Sequence, residues 1–390
     1  MSADPPTSQP SSLADAVLGG ERVSRDTALE LLRAPDESLR ALLWAAFRIR
    51  EASFGRSVKV CVLQNARSGL CPEDCHYCSQ SSVSTADIPR YRLLSEDALV
   101  DGARHAVRSG ARRYCMVTSG RGPSEPDIAR LATAARRIKR EFPEVELCVS
   151  IGLTSEEQGR ALKAAGVGWV NHNLNTSERF HPQICTTHDF ADRVRTVRNV
   201  KAAGLSACCG GILGMGESDE DVVDLALSLR DLEVDSLPVN FLHPIDGTPL
   251  AGANFLDPVR ALKALCVFRF TNPAAEIRAA GGRERNLREW QALALYPANS
   301  IFVRGYLTTP GQSADEARSM IAEMGFEVEE GIEAAEGGDH SAPAGHRHLR
   351  DLQRRGGEGR TKLEVVGDGF DGGEHRVQVA SNRHFLDGER

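Results

Sequence analysis

Three cysteines stand close together in the segment from Asn65 to Ser82, NARSGLCPEDCHYCSQSS. Cys71, Cys75 and Cys78 form a C-x3-C-x2-C pattern. Three thiolates at this spacing can hold three corners of an iron–sulfur cube, and the fourth iron then lacks a protein ligand from this segment. An iron with an open position can bind a substrate or cofactor, as the open position of a catalytic metal site does. The segment therefore predicts a catalytic [4Fe-4S] cluster.

Two simpler interpretations compete with this one. The spacing i, i+4, i+7 also marks one face of a helix, but Pro72, Glu73 and Asp74 would then crowd the first turn. A structural zinc site normally has four ligands, and His76 is a poor candidate for the fourth. The cluster interpretation is favoured because the spacing and the local sequence agree.

The local sequence resembles a known superfamily. The pattern C-x3-C-x-Y-C, with Tyr77 before the last cysteine, is similar to that of the radical S-adenosylmethionine enzymes. The stretch SGLCPEDCHYCSQS resembles the biotin synthase family, and the resemblance runs from about Glu51 to Glu329. It implies that the amino and carboxyl groups of S-adenosylmethionine chelate the fourth iron, with Tyr77 near the adenine. It also implies an enzyme that inserts sulfur into dethiobiotin, by way of a 5′-deoxyadenosyl radical that takes hydrogen from the substrate.

Further cysteines fall on predicted strands, together with one arginine: Cys115, Cys148, Cys208 and Arg278. A cysteine on a barrel strand is most often just a small buried apolar residue. Several of them, with an arginine that is costly to bury unpaired, favour a second site instead. In the biotin synthase family the matching positions hold a [2Fe-2S] cluster bound by three cysteines and an arginine. The resemblance therefore implies these four ligands, and a cluster sulfide as the sulfur source.

One position departs from the family's common pattern. Cys208 is followed by Cys209, where a serine or other small residue is usual. Neighbouring strand residues face opposite sides, so the Cys209 thiol either points away from the barrel axis or changes the ligand set. Cys61, Cys185 and Cys266 match no ligand position, and we assign them structural roles.

Asparagines cluster at the end of the fourth predicted strand, in NHNLNTS. An asparagine offers a donor and an acceptor in one side chain, which suits a ureido ring or ribose hydroxyls. A turn that caps the next helix is an equally good explanation of the residues alone. The resemblance implies that Asn171, Asn173 and Asn240 contact dethiobiotin, and that Asn173 and Asn175 contact the cofactor.

A glycine-rich segment, GGILGMGE, follows the fifth predicted strand. Its glycines permit tight turns and close backbone approach to a ligand, although an ordinary strand–helix loop would look the same. The resemblance implies that Gly214 and Glu217 lie near the adenine. VTSGRG, residues 117–122, loosely matches the loop that receives the methionine amino group.

The elements that must position these residues alternate along the chain. Apolar runs that predict strands cover 58–64, 113–118, 146–151, 168–173, 206–212, 236–241, 275–278 and 300–303. Amphipathic segments that predict helices cover 95–109, 126–141, 155–165, 190–203, 220–232, 258–270, 284–294 and 313–324. Eight strand–helix units predict an α/β fold, a (β/α)8 TIM-type barrel, whose site lies at the C-terminal strand ends. An open doubly wound sheet is the alternative, but its G-x-G-x-x-G signature is absent from the first unit.

The flanks of the barrel differ in composition. Residues 1–50 predict a disordered start, to about residue 12, and a helical cap; 51–330 predict the barrel; 331–390 predict a disordered low-complexity tail. His340, His346 and His348 in that tail could bind metal adventitiously.

Composition also limits the functions that the protein can have. The net charge of −7 argues against a nucleic-acid partner, and no segment has the apolar length of a membrane span or the pattern of a signal peptide. Ten cysteines without a secretory signal predict a reducing, cytoplasmic location. The resemblance further implies a flavodoxin- or ferredoxin-type electron donor and a homodimer. Two alternatives remain open: another radical enzyme of the same barrel type, such as a mutase or cofactor-maturation protein, and a non-enzymatic iron–sulfur electron carrier.

Overall fold

The computed structural model describes residues 8–253 and 255–329. Residues 331–390, predicted to be a disordered tail, lie outside the described residues. Within the described part of the chain, no helix is both long and apolar enough to cross a membrane.

Three helices precede the barrel: α1 (Ser8–Leu18), α2 (Arg25–Arg33) and α3 (Leu39–Phe54). The prediction of a helical cap is confirmed, but the predicted disorder to about residue 12 is wrong from Ser8 onwards. The apolar face of α3 packs on the barrel's end, where the Phe47 ring lies 5.7 Å from that of Phe326. A left-handed Gly55 (φ +55°) ends α3 and turns the chain into the first strand.

Parallel strands form a closed barrel. The strands are β1 (Ser57–Arg67), β2 (Arg113–Thr118), β3 (Glu146–Ser150), β4 (Trp169–Asn171), β5 (Ser206–Cys208), β6 (Gly211–Leu213), β7 (Ser236–Phe241), β8 (Glu276–Ala279), β9 (Ser300–Phe302) and β10 (Glu327–Val328). Pairing of β1 with β9 as well as β2 closes the ring, and β10 adds to the start of β1. The predicted (β/α)8 architecture is confirmed.

Helices cover the outside of the barrel: α4 (Glu96–Arg108), α5 (Glu125–Glu141), α6 (Glu156–Ala164), α7 (Phe190–Ala202), α8 (Asp219–Asp231), α9 (Pro258–Thr271), α10 (Arg283–Leu287) and α11 (Ala314–Glu323). Most begin at a serine or aspartate cap; Ser124 and Ser218, for example, form capping boxes with Asp127 and Asp221. These caps fix where each loop at the C-terminal strand ends gives way to its helix.

Two elements differ from the sequence prediction. The fifth strand is split into β5 and β6 at Cys209 and Gly210. The chain at Gly210 runs so close to the Pro238 carbonyl oxygen that a Cβ would meet it at 1.8 Å, so this position requires glycine. The helix predicted over 284–294 is the short α10 followed by a 3-10 helix, Arg288–Leu295. Left-handed Arg288 (φ +52°) separates the two.

A network of buried charges fills the barrel's N-terminal half. Arg113 donates to both carboxylate oxygens of Glu276, at 3.0 and 2.9 Å, and its guanidinium lies 3.8 Å from the Trp169 ring centroid. The Lys59 Nζ lies 2.7 Å from a Glu146 oxygen and 3.4 Å from a Glu276 oxygen. Buried ions need such partners, and together these residues form the floor of the barrel.

Candidate active site

A cavity of about 400 Å³ lies at the C-terminal ends of the barrel strands. Both predicted cysteine sets line it: Cys71, Cys75 and Cys78, and Cys115, Cys148 and Cys208. The barrel thus brings together residues that are far apart in sequence, at the end of the fold where barrel enzymes have their active sites.

The first cysteine set lies in the loop after β1. This loop has no helix between β1 and α4, so the helical-face alternative is wrong. Left-handed Gly69 and Leu70 start the loop, and the Cys78 amide donates to the Cys75 carbonyl at 3.1 Å. Burial raises the pKa of the Cys78 thiol to about 11, so this thiol is protonated at neutral pH and must lose its proton to bind a metal.

The second cysteine set comes from neighbouring strands. Cys115 pairs in register with Cys148, and Cys208 pairs with Asn171 and Ser236. The pKa of the Cys148 thiol is raised well above its ordinary value by its hydrogen bond with Cys115, and that of Cys208 by its hydrogen bond with Cys148. The three thiols therefore form one buried group.

Arg278 lies beside this group. Its Nη1 lies 3.7 Å from the Cys208 sulfur, and its Nε donates to the Ser300 hydroxyl at 3.0 Å. Its Nη2 is paired with Glu276. The arginine is thus buried but compensated, with one guanidinium nitrogen beside the Cys208 sulfur.

Cys209 does not line the cavity. It is fully buried in the apolar core, and its amide donates to the Ser236 carbonyl at 2.8 Å. This placement supports the interpretation in which its thiol points away from the barrel axis.

The predicted asparagines line the cavity between the two cysteine sets. The Asn171 amide nitrogen donates to the Cys208 sulfur and to the Asn173 side-chain oxygen, at 3.3 and 3.1 Å. Asn240 bridges two strands, donating to the Gly211 carbonyl at 3.2 Å and accepting from the Gly281 amide at 3.0 Å. These contacts hold the amide groups in fixed positions while the side chains remain accessible from the cavity.

Asn175 links Tyr77, in the cysteine loop, to Arg193 on α7. With its side-chain oxygen turned toward Tyr77 and Arg193, it accepts from the Tyr77 hydroxyl and from both Arg193 Nη atoms, at 3.1 Å each. Its backbone is left-handed (φ +72°), a conformation that asparagine tolerates well. Tyr77 and Asn175, two of the residues predicted to contact the cofactor, therefore contact each other directly.

Gly214 and Glu217 are absent from the lining of the cavity. The Glu217 carboxylate accepts from the Gly214 and Met215 amides at 2.7 Å each, which holds a turn in which Gly214 is left-handed (φ +92°). Burial raises the pKa of this carboxyl. Met215 joins a small apolar cluster that includes Tyr77, so the turn shapes the wall beside the loop cysteines.

Two buried polar atoms on the cavity wall have no hydrogen-bond partner among the described residues: Thr118 Oγ1 and His172 Nε2. Buried polar atoms are normally paired, so each is available to a bound polar molecule. Together with six thiols, these atoms make a donor set that fits sulfur-ligated iron and a polar organic cofactor in the same cavity.

Sequence reasoning missed several polar residues around the loop cysteines. Arg193, on α7, is buried and donates to the Asn173 carbonyl at 2.8 Å. Glu73, Cys185 and His188 form a contiguous group beside Cys75. The sequence carries no periodic signal for Arg193, because charged residues on a helix usually face solvent.

The barrel and its cysteine loop define a class of enzyme. Residues 67–229 match the model of the Radical SAM superfamily, and residues 238–327 match the model of the Biotin and Thiamin Synthesis associated domain. The solved structure of methylornithine synthase (PylB) has the same fold, with a TM-score of 0.71 and 20% identity over 81% of this chain and 97% of that one. The protein is therefore a radical S-adenosylmethionine enzyme.

Curated relatives identify the family within that class. The biotin synthase of Geobacillus kaustophilus is 52% identical over 81% of this chain and 95% of its own length. The biotin synthase of Bacillus subtilis is 50% identical over 81% of this chain and 94% of its own length. The chain belongs to the biotin synthase family, which argues against the electron-carrier and mutase alternatives.

Proposed function

We propose that this enzyme converts dethiobiotin to biotin by inserting sulfur, with the cavity holding two iron–sulfur clusters at opposite ends. The observation that carries the proposal is the presence of two separate groups of three cysteines on one cavity, with asparagine amides between them. Family membership supports the substrate and the reaction.

The loop residues Cys71, Cys75 and Cys78 would hold a [4Fe-4S] cluster with an open iron for S-adenosylmethionine. Cys115, Cys148, Cys208 and Arg278 would hold a [2Fe-2S] cluster. The bound groups supply the radical chemistry and the sulfur, because ordinary acid–base side chains cannot attack an unactivated C–H bond.

The chain's own residues would bind and orient the substrate and cofactor. Asn171, Asn173 and Asn240 offer fixed amide groups to the ureido ring of dethiobiotin, and Asn173 and Asn175 offer polar contacts to S-adenosylmethionine. Tyr77, with the apolar residues around Met215, forms a wall suited to a flat base such as adenine. The turn fixed by Gly214 and Glu217 holds that wall in place.

A reduced flavodoxin- or ferredoxin-type donor, a homodimeric assembly and domain boundaries near residues 50 and 330 belong to the same proposal. They rest on family resemblance and on the composition of the chain.

The experiment compares the wild type with a Cys71/Cys75/Cys78 triple alanine variant, both purified without oxygen. Iron, sulfide, absorption and Mössbauer spectra are measured for each. The variant is expected to lose the [4Fe-4S] signal and keep a [2Fe-2S] signal. Retention of a [4Fe-4S] signal would overturn the assignment of the second site, and loss of all iron would overturn the existence of two sites.

A single substitution tests the sulfur source. Cys148→Ala should keep the first cluster and cleave S-adenosylmethionine, yet form no biotin. Cys266→Ala is the matched control, because Cys266 is equally buried but lies in α9, outside the cavity lining. A full yield of biotin from Cys148→Ala would refute the role of the auxiliary cluster as the sulfur donor.

A further inference from the structure

Cys185 lies against the loop cysteines, although the sequence suggests only a structural role for it. Its sulfur is 3.8 Å from the Cys75 sulfur. The His188 ring nitrogens lie 3.4 Å (Nδ1) and 3.7 Å (Nε2) from the same Cys185 sulfur. One donor atom from each of the three residues lies within 4.8 Å of the other two.

These separations match those between ligands of a tetrahedral zinc ion. With Zn–S near 2.3 Å and Zn–N near 2.0–2.1 Å, tetrahedral angles place two sulfurs about 3.8 Å apart and a sulfur and a nitrogen about 3.6 Å apart. The Cys75–Cys185 sulfur separation of 3.8 Å and the separation of 3.7 Å between the Cys185 sulfur and His188 Nε2 are close to these values. The two sulfurs can therefore stay in place. The imidazole must turn, because a sulfur 3.4 Å from Nδ1 and 3.7 Å from Nε2 lies beside the ring and not along the Nε2 lone pair.

A neighbouring carboxylate orients the histidine. His188 Nδ1 is paired with Glu73 Oε2, which leaves Nε2 as the nitrogen that can bind a metal once the ring has turned. A carboxylate on the far ring nitrogen is the arrangement that zinc-binding histidines usually have. Asp74 Oδ1 lies 3.2 Å from the Cys185 sulfur and is a carboxylate oxygen that could take a fourth position, which water could otherwise fill.

We propose that the cluster-free protein binds Zn²⁺ through Cys75, Cys185 and His188. Cys75 and Cys185 bind the ion as thiolates, any proton that they carry passes to solvent, and no electron is transferred. Because Cys75 is also a proposed ligand of the [4Fe-4S] cluster, zinc and that cluster exclude each other. The zinc site itself depends only on these three side chains, so it can exist whether or not the cluster assignment is correct.

The test uses the full chain, freed of iron and kept reduced without oxygen. Co²⁺ is titrated first, because its visible ligand-field bands report tetrahedral geometry and its near-ultraviolet charge-transfer bands report thiolate ligands; Zn²⁺ is then added to displace it. The wild type is expected to give a tetrahedral spectrum with two thiolates per tightly bound ion. Cys185→Ser should weaken binding at least about 100-fold. Glu73→Gln should weaken it about 10-fold, the lower end of the effect of losing a group that orients a ligand.

Two controls locate the ion. Cys71→Ser should bind as the wild type does, since Cys71 belongs to the cluster loop but not to this site, and Cys266→Ser controls for the loss of a buried thiol. Equal binding by Cys185→Ser and the wild type would overturn the proposal. So would an equal weakening in Cys71→Ser, because the ion would then lie on the three loop cysteines.

Reconstitution with iron and sulfide gives a second readout. Wild-type protein loaded with one equivalent of Zn²⁺ should develop the [4Fe-4S] absorption of the loop site more slowly than zinc-free protein. Cys185→Ser should develop it at the same rate with or without prior zinc. Equal slowing by zinc in both proteins would overturn the competition. Failure of zinc-free wild type to form the cluster would instead count against the proposed function alone.

Discussion

Glu276 is the residue on which the charge balance of the barrel floor depends most. Its carboxylate accepts from Arg113 at 3.0 and 2.9 Å and from Ser236 at 3.1 Å, lies 3.4 Å from the Lys59 Nζ, and is paired with Arg278. Burial raises the pKa of this carboxyl, but Arg113, Lys59 and Arg278 together lower it well below its ordinary value. Glu276 is therefore paired with all three buried cations, whereas Glu146 is a second anion for Lys59 and Arg113 only.

This geometry predicts unequal costs for removing the partners. Glu276→Gln leaves three buried cations short of one negative charge, and breaking a buried ion pair costs about 3–5 kcal/mol. Arg278→Met leaves Glu276 with Arg113 and Lys59, so we expect only about 1–2 kcal/mol, the cost of the lost hydrogen bonds. For a folded part of about 320 residues the unfolding entropy is about 0.7 kcal/mol per degree, so 4 kcal/mol lowers the midpoint by about 6 °C and 1.5 kcal/mol by about 2 °C.

The assay is thermal unfolding of iron-free protein followed by circular dichroism without oxygen, at one scan rate for all variants. Glu220→Gln is the control, because Glu220 pairs with Arg33 on the surface and should leave the midpoint unchanged. A midpoint for Arg278→Met as low as that of Glu276→Gln would refute the reasoning. It would mean that the arginine, rather than the carboxylate, holds the network together.

Three further predictions concern the buried carboxylate and the two cysteine sets. The stability that Glu276 supplies should be complete above pH 4.5, its ordinary pKa, and should be lost as the pH falls further through the lowered pKa of the folded state. The free energy of unfolding, measured in urea from pH 7 to pH 3, should therefore fall less in Glu276→Gln than in the wild type. Cys208→Ala should lower the iron content by the two irons of a [2Fe-2S] cluster, whereas Cys209→Ala should leave iron analysis unchanged. Cys71→Ala should abolish reductive cleavage of S-adenosylmethionine, measured as 5′-deoxyadenosine by chromatography, and a Cys71→Ala protein that still released it would contradict the loop assignment.

The barrel could be predicted from sequence because each unit carries its own signals. The strand segments are short and apolar, and the helices begin at serine or aspartate caps, so most boundaries agree within one or two residues. The break in the fifth strand could not be predicted in this way. The break lies where Gly210, between β5 and β6, passes close to the Pro238 carbonyl on β7, and no local pattern encodes a contact between residues so far apart in sequence.

Placement of the candidate site was predictable to the same degree. Alternate residues of a barrel strand face inward, so the sequence alone predicts that Cys115, Cys148 and Cys208 converge. The ion-pair partners of Arg278 could not be predicted from sequence. Glu276 lies two residues earlier on the same strand, and nothing in the local sequence marks it as a buried partner. Its interaction with Lys59 and Arg113 depends on the closure of the whole barrel.

The three cysteines that matched no ligand position show what residue type alone leaves undecided. The Cys266 thiol is buried in the apolar core, and the Cys61 sulfur faces the Ser300 hydroxyl at 3.5 Å, so both fit a structural role. Cys185 is as buried as they are, but its sulfur faces another thiol, an imidazole and a carboxylate. Burial is therefore not what separates an inert thiol from a metal ligand. The difference lies in whether other donor atoms converge on the sulfur, and for Cys185 these come from residues up to 111 positions away in the chain. Only the folded barrel brings them together, so a metal site of this kind is visible in the structure and absent from every local motif.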